Sequence, residues 1–144
     1  MGSLRIYDIA ANDIIVGAIP VKDAIVSAEI AAEGDAFADE AGADGTVIRY
    51  ATHENRATCT IVLKGSSEEN AKLSALHALD KAASNGAGVV PFLVRDNNGT
   101  TLISTDKAWI RSMATKTLGA APGDTTWAIR LVLDSPLSWT VGGN

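Results

Sequence analysis

A strand that runs directly into a helix constrains the fold of this chain most strongly. From Arg56 to Lys64 apolar and polar side chains alternate strictly, and this period of two predicts a strand with one buried face. Ser66 and Glu69 have the spacing of a capping box, which predicts that a helix begins there. An apolar stripe and a terminating Asn-Gly pair then predict one helix over residues 67–84. The stripe consists of Leu73, Leu76, Leu79 and Ala83.

Length and composition bound the class of protein. The 144 residues are 47% hydrophobic and 20% charged, which predicts one globular domain over residues 1–144. The longest wholly apolar run, Ile14–Val21, has eight residues, whereas a membrane helix needs about 20, so we expect no membrane span. A net charge of −5 argues against a dedicated nucleic-acid binder, which normally presents a basic face.

The single cysteine, Cys59, lies on the inward-reading side of the predicted strand 56–64. We therefore expect a small buried core residue and not a nucleophile or a metal ligand. A lone cysteine also fits a reducing cytosol, or assembly inside a bacterial cell.

Most of the remaining chain predicts further strands. An Asn-Gly pair at 98–99 between two β-rich runs indicates a hairpin, and we expect 47–51 to pair with 56–64 across a short turn. Seven to nine strands with one helix indicate a mainly β fold, a β-sandwich or barrel with the helix covering one opening. The strands predicted besides 56–64 are Leu4–Asp8, Asp13–Val21, Ala24–Ala31, Val47–Ala51, Val89–Arg95, Thr100–Thr105, Ala108–Met113 and Thr126–Asp134.

The segment 33–45 has a different composition and is predicted to be a long acidic loop that ends in an Asp44-Gly45 turn. Loops of this length are uncommon in compact domains and are usually functional. A solvated loop, a cation site and a subunit contact all fit it; the pattern of a calcium loop is absent, and the subunit contact is favoured. The candidate contact residues are Glu33, Asp35, Phe37, Asp39, Glu40 and Asp44.

No group of residues in this chain has the spacing of a catalytic site. His53 and His77 are not part of a zinc-binding His-Glu-x-x-His motif, and we expect both at the surface or at an edge. The Gly-Ser-Ser at 65–67 lacks the second glycine of a nucleophile elbow. We therefore expect no enzyme, no cofactor and no metal.

Several segments resemble a known family. Thr58–Leu76 resembles the strand-to-helix segment of the tail tube proteins of contractile-tailed phages, which are related to the inner-tube proteins of type VI secretion systems and bacteriocins. Pro91–Ser104 and Ala108–Ile110 resemble the hairpin and following strand of these proteins, and Trp127, which opens the last long alternating strand of this chain, also fits them. The resemblance extends over most of residues 3–141.

This resemblance implies a tail-tube-type protomer that closes into hexameric rings. Stacked rings would form the inner tail tube that conducts DNA from the capsid to the host cell. The implied partners are further copies of the chain, the tail sheath protein, and baseplate, initiator and terminator proteins. The implied location is the virion, after synthesis in the cytoplasm of the bacterial host. The family suggests that loop 33–45 meets a basic surface on an adjacent subunit or ring, with Arg49, Arg56, Lys64, Arg111 and Lys116 as candidates.

A tube that conducts DNA must not hold it, because clustered Lys and Arg bind phosphates tightly. We therefore expect a lumen that is acidic or neutral and that lets DNA pass without specific binding. Ser27, Glu29, Thr58 and Thr60 are the candidate lumen-facing residues, although the same four also fit ordinary solvent-facing strand positions.

Two other functions fit the sequence. A tail terminator or completion ring would share the architecture but stop at one ring. A soluble β-sandwich binding or adaptor module would usually display an aromatic platform, whereas the aromatic residues here are scattered and mostly inward-reading. The host, the tube length, the strands that line the lumen, and the cargo, DNA or a secreted effector, are left open.

Overall fold

The computed structural model describes residues 2, 4–5, 7–83, 85–133 and 139–142. These residues form ten strands, one α-helix (α1) and one turn of 3-10 helix. In chain order the elements are a 3-10 turn at Ile9–Ala11, β1 Asn12–Val16, β2 Ile19–Pro20, β3 Ile25–Ala32, β4 Phe37–Ala41, β5 Val47–Ala51, β6 Arg56–Lys64, α1 Glu69–Ala83, β7 Val90–Asp96, β8 Leu102–Ile110, β9 Asp124–Val132 and β10 Trp139–Thr140.

Eight of these strands form one antiparallel sheet in the order β2-β1-β7-β8-β9-β6-β3, with β10 paired to β8. Strand β8 pairs with β7 along most of its length, with a shift of register between Val90 and Phe92, and with β9 over its last three residues. Side chains from β1, near one end of the order, and from β6, near the other, lie in the same hydrophobic core. The sheet must therefore curl around that core. The prediction of a mainly β fold with one helix is confirmed.

The central strand is β6, which pairs with β3 on one side and with β9 over all nine residues on the other. Its inward side chains, Ala57, Cys59, Ile61 and Leu63, are fully buried, as the alternation predicts. Burial raises the pKa of the Cys59 thiol to about 12, which disfavours the reactive thiolate. The prediction that Cys59 is a core residue is confirmed.

Helix α1 covers this core, within the predicted bounds, although residue 84 lies outside the described part of the chain. Leu73 is fully buried and Leu76 packs against the core, but Leu79 is 53% exposed. The predicted stripe is therefore wrong at Leu79 and at Ala83, which is also exposed. The inward position one turn after Leu73 is taken by His77, which is buried and not at the surface as expected. No helix in the described ranges is long and apolar enough to cross a bilayer.

The start of α1 is held by a tertiary contact. The Asp23 carboxylate accepts a hydrogen bond from the backbone N–H of Glu68 at 2.9 Å, and the Ser67 hydroxyl donates to the Asp23 carbonyl at 2.6 Å. At the same end the Asn70 side chain accepts hydrogen bonds from Trp127 Nε1 and Thr125 Oγ1 of β9. The sequence motif predicts Ser66 as the cap of α1, whereas in the structure Asp23, in the loop before β3, caps the helix. Asn70 fixes the same end of the helix to the sheet.

Several predicted strands are corrected by the structure. Of Leu4–Asp8, the described residues form no strand. Asp13–Val21 is broken at Gly17, whose φ of +63° is left-handed and turns the chain between β1 and β2. Thr100–Thr105 and Ala108–Met113 merge into the single strand β8. The predicted strand Thr126–Asp134 begins earlier, at Asp124, and its last residue lies outside the described part.

The predicted long loop 33–45 is wrong in conformation. Strand β4 lies inside it and pairs with β5 in a separate two-stranded sheet, so this segment is one arm of a β-hairpin. Consequently 47–51 does not pair with 56–64 as predicted, because β3 and β9 already occupy both edges of β6.

The core makes a prediction about stability. We expect Leu131→Ala to lower the free energy of unfolding by about 2–5 kcal/mol, because Leu131 is fully buried and truncation leaves a cavity. Leu79→Ala removes the same atoms from an exposed site on α1 and is the matched control, with an expected change within about 0.5 kcal/mol. Urea titrations of both variants measure this, and equal losses would contradict the described core.

Candidate assembly surface

The hairpin β4–β5 projects from the main sheet and exposes large apolar side chains on both of its faces. On one face the Arg49 guanidinium stacks over the Phe37 ring at 3.8 Å. Phe37, Val47, Ile48 and Tyr50 are 50%, 64%, 61% and 46% exposed. The expectation that aromatic residues are mostly inward is therefore wrong for Phe37 and Tyr50, and Tyr7 is exposed as well. An isolated two-stranded hairpin is marginal in water, and an exposed apolar patch is typical of a protein contact surface.

The six predicted contact residues have different environments. Asp44 accepts hydrogen bonds from the backbone and hydroxyl of Thr46, which shape the hairpin turn and lower the pKa of Asp44. Phe37, Asp39 and Glu40 lie on β4, with Asp39 opposite Arg49. Asp35 precedes the strand and is exposed. No cluster of His, Cys, Asp and Glu suited to a metal ion occurs among the described residues.

Glu33 is anchored to the main sheet, and its contact with an adjacent subunit stays a prediction. Its carboxylate accepts a hydrogen bond from the Thr58 hydroxyl and lies 2.9 Å from Arg130 Nη1. The Thr58 hydrogen bond is the largest cause that lowers the pKa of Glu33; the positive charges of Arg130, Arg111 and Arg56 act in the same direction against the opposing effect of burial. Glu33 is thus a structural anchor at the entry to the hairpin.

The exit of the hairpin is anchored by a second carboxylate. Glu54 forms a two-point ion pair with Arg56, with Nε at 2.9 Å and Nη2 at 3.0 Å, and these bonds lower the pKa of Glu54 to about 2. Between the two anchors Thr52 donates its backbone N–H to the Ala36 carbonyl at 3.0 Å, which closes the base of the hairpin. Both strands of the hairpin therefore leave the main sheet from fixed points.

A groove of about 560 Å³ lies beside this base. Small side chains, such as Ala32 and Ala36, form part of its lining together with Leu133 and Trp139. His53 also lines it, in the left-handed conformation with a φ of +58°, as the chain turns from β5 into β6. His53 is exposed, as expected from the sequence.

The candidate lumen residues are brought together on the outer face of the sheet formed by β3, β6 and β9. Glu29 lies directly opposite Thr60, and Thr58 is opposite Ala31 on one side and Arg130 on the other. Ser27 lies on the same face, one alternation from Glu29. Ser27 and Glu29 are exposed and the two threonines are half-buried. That this face lines a lumen stays a prediction.

Each basic side chain on these three strands is paired with a carboxylate. The nitrogen–oxygen distances are 2.9 Å for Arg56–Glu54, 3.1 Å for Lys64–Asp124 and 2.9 Å for Arg130–Glu33. Sequence reasoning does not find Arg130, whose signal is an arginine at an outward position of the otherwise apolar run Trp127–Leu133. The outer face is polar, but its positive charges are neutralised locally.

The five basic residues proposed to receive an acidic loop are differently occupied. Arg49 stacks on Phe37, Arg56 and Lys64 are ion-paired, and Lys116 donates to the Gly65 carbonyl at 2.9 Å. Arg111, directly after β8, is exposed; its backbone N–H donates to the Ala128 carbonyl at 2.9 Å, and its guanidinium has no hydrogen-bond or ion-pair partner within the described residues.

Strand β3 leaves one edge of the sheet open over eight residues. Glu33 donates its backbone N–H to the Arg56 carbonyl, so by alternation Ser27, Glu29 and Ala31 are bonded to β6 while Ala28 and Ile30 direct their backbone groups to the open edge. The opposite edge is β2, which has two residues and includes Pro20. A long open edge is a template for pairing with another chain, and a short edge with proline is not.

Comparisons with known proteins agree with the resemblance seen in the sequence. No protein-family model matches the chain. The chain is 36% identical over 89 residues, 62% of its length, to structural protein ORF10 of Pseudomonas phage KPP10, and it spans about half the length of that relative. Its fold is similar to that of the anti-feeding prophage cap, a tube-terminating cap solved by cryo-electron microscopy. The TM-score is 0.53 at 10% identity, over 93% of this chain and 91% of the cap. The sequence similarity to a phage structural protein and the similarity of fold to a tube-terminating cap bear out the resemblance stated from the sequence.

The anchor at the hairpin exit predicts a pH dependence. Because the pKa of Glu54 falls from its ordinary 4.5 to about 2 in the folded protein, its stabilising effect is complete above 4.5 and is lost as the pH falls toward 2. We expect Glu54→Gln to flatten the dependence of stability on pH in this window. Denaturant titrations at several pH values measure this, with Asp35→Asn as the control that leaves the slope unchanged. Parallel curves for native protein and Glu54→Gln would contradict the assignment.

Proposed function

We propose that this chain is a structural subunit of a contractile-tail particle and that it assembles with copies of itself into rings that stack as the inner tail tube. The observation that carries this proposal is the uncovered hairpin β4–β5. Phe37, Val47 and Ile48 on it are at least half exposed and Tyr50 is nearly half exposed. Its two strands pair only with each other. A partner surface would bury these side chains and stabilise a hairpin that is marginal alone, and a second copy supplies such a surface.

The open edge of β3 supports the same proposal. A heterologous contact joins two different patches of one subunit, and a rotation that closes gives a ring. Pairing of β3 with a neighbouring copy would satisfy the backbone groups of Ala28 and Ile30 and would remove an aggregation-prone edge. The relative in phage KPP10, which is named a structural protein, supports a place in the virion.

The outer face of β3, β6 and β9 is proposed to line the passage. Ser27, Glu29, Thr58 and Thr60 present small polar or acidic groups there, and its three basic side chains are ion-paired. Such a wall attracts the DNA backbone weakly and lets DNA pass without specific binding. Six copies per ring, and contacts with sheath, baseplate, initiator and terminator proteins, belong to this proposal.

A second candidate function is favoured by one observation. The fold is similar over 93% of this chain to that of a tube-terminating cap. A terminator would form the same kind of ring but would present one face that accepts no further ring. Negative-stain microscopy of the purified protein distinguishes the two functions. Tubes of uniform bore and variable length support the tube subunit, and single rings that never stack support the terminator.

The hairpin is tested by deletion. We expect replacement of residues 37–51 with a two-residue glycine linker to give folded protein that no longer assembles, because Ala36 and Thr52 are already hydrogen-bonded at the base. Circular dichroism verifies the fold, and light scattering with microscopy measures assembly. Unchanged rings or tubes after this deletion would contradict a role of the hairpin in assembly.

The open edge is tested by one backbone substitution. We expect Ala28→Pro to block the joining of subunits, since proline removes an N–H that faces the open edge while the pairing of β3 with β6 is kept. Ala28→Gly changes the side chain at the same position but keeps the N–H, and is the matched control that should still assemble. Assembly by Ala28→Pro at the level of Ala28→Gly would contradict pairing through β3.

A further inference from the structure

Three arginines converge near the base of the hairpin, on the outer face of the sheet. Arg130 on β9 and Arg56 on β6 are ion-paired with Glu33 and Glu54, and Arg111 acts electrostatically on Glu33 from the end of β8. Both carboxylates lie in the connections between the sheet and the hairpin, Glu33 directly after β3 and Glu54 two residues before β6. The sheet thus carries the arginines of the cluster, and the segments that enter and leave the hairpin carry the carboxylates that neutralise them.

The two ion pairs occupy the guanidinium groups differently. Glu54 takes both Nε and Nη2 of Arg56, which is the two-point face that a phosphate would use. Arg130 Nη1 is buried and lies 2.9 Å from Glu33 without an aligned hydrogen bond, so Glu33 compensates its charge electrostatically. Arg111 is exposed, and while its backbone N–H donates to the Ala128 carbonyl, its guanidinium has no hydrogen-bond partner among the described residues.

We propose that Arg56, Arg111 and Arg130 form a latent binding surface for a polyanion with a phosphate backbone, and that Glu33 and Glu54 mask it. Removal of the two carboxylate charges would free the two-point donor face of Arg56 and would leave the positive charges of Arg111 and Arg130 uncompensated. The mask matters for DNA passage only if this face lines a tube, so that biological meaning rests on the proposed function. The binding itself is a property of the single subunit.

The test compares two double variants of unassembled protein with the same change of net charge. Glu33→Gln with Glu54→Gln removes the masking carboxylates, and Asp35→Asn with Glu40→Gln removes two exposed carboxylates of the same segment that contact no arginine of the cluster. Binding to a labelled DNA duplex of about 20 base pairs is measured by fluorescence anisotropy. We expect the masking variant to bind about tenfold more tightly than the control in low salt, through about two additional phosphate contacts.

Salt dependence and a third variant locate the effect. Because affinity depends more steeply on salt when more phosphates are contacted, raising the salt from about 50 to about 200 mM should weaken DNA binding by the masking variant about tenfold more than binding by the control. Adding Arg111→Gln to the masking variant should remove part of the gain. Equal affinities of the masking and control variants would overturn the inference, and so would a gain that Arg111→Gln leaves intact.

Two further measurements keep the test decisive. If the double variant does not fold, Glu54→Gln alone is compared with Asp35→Asn, because an ion pair at the surface contributes little to stability. About threefold tighter binding is then expected, and equal binding overturns the inference. Microscopy of the same proteins reports ring or tube formation separately, so a subunit that binds DNA when unmasked but never assembles refutes the proposed function and not the mask.

Discussion

The ladder of β6 with its two neighbours is the interaction on which the rest of the structure depends. This strand pairs with β3 and β9 at once, and its four inward side chains are fully buried. The strand is therefore fixed in register on both sides, because a slip by one residue would place polar side chains in the core. The helix start, the open edge and the hairpin are all positioned relative to this strand.

The hairpin is the point at which the rigid sheet meets a surface without support from the core. Short connections join the hairpin to the end of β3 and to the start of β6. The anchors Glu33 and Glu54 hold these connections to arginines of the sheet. A flexible loop of the same length would lose more conformational entropy on meeting a partner. An anchored hairpin presents its apolar side chains in a nearly fixed direction, which favours a specific contact between copies.

The same anchors explain how an acidic chain can carry arginines on a face that is proposed to meet DNA. Net charge alone does not describe this surface, since Arg130 and Arg56 are balanced by carboxylates within 3 Å of them. Local pairing, and not the absence of basic residues, makes the outer face neutral. The anchoring of the hairpin and the neutrality of the face therefore depend on the same two carboxylates, which couples a proposed assembly element to a proposed lumen.

The sequence by itself determines the elements whose signal is local: the alternation of β6, the bounds of α1 to within two residues, the burial of Cys59 and the position of the open strand β3. Only the tertiary structure decides that 37–41 is a strand and that His77, not Leu79, faces the core. Tertiary contacts also place the cap of α1 on Asp23 and pair Arg130 with Glu33. The physical reason is that these features depend on partners distant in the chain. Pairing with β5, packing against the sheet and ion pairs across strands leave no periodicity in the local residues.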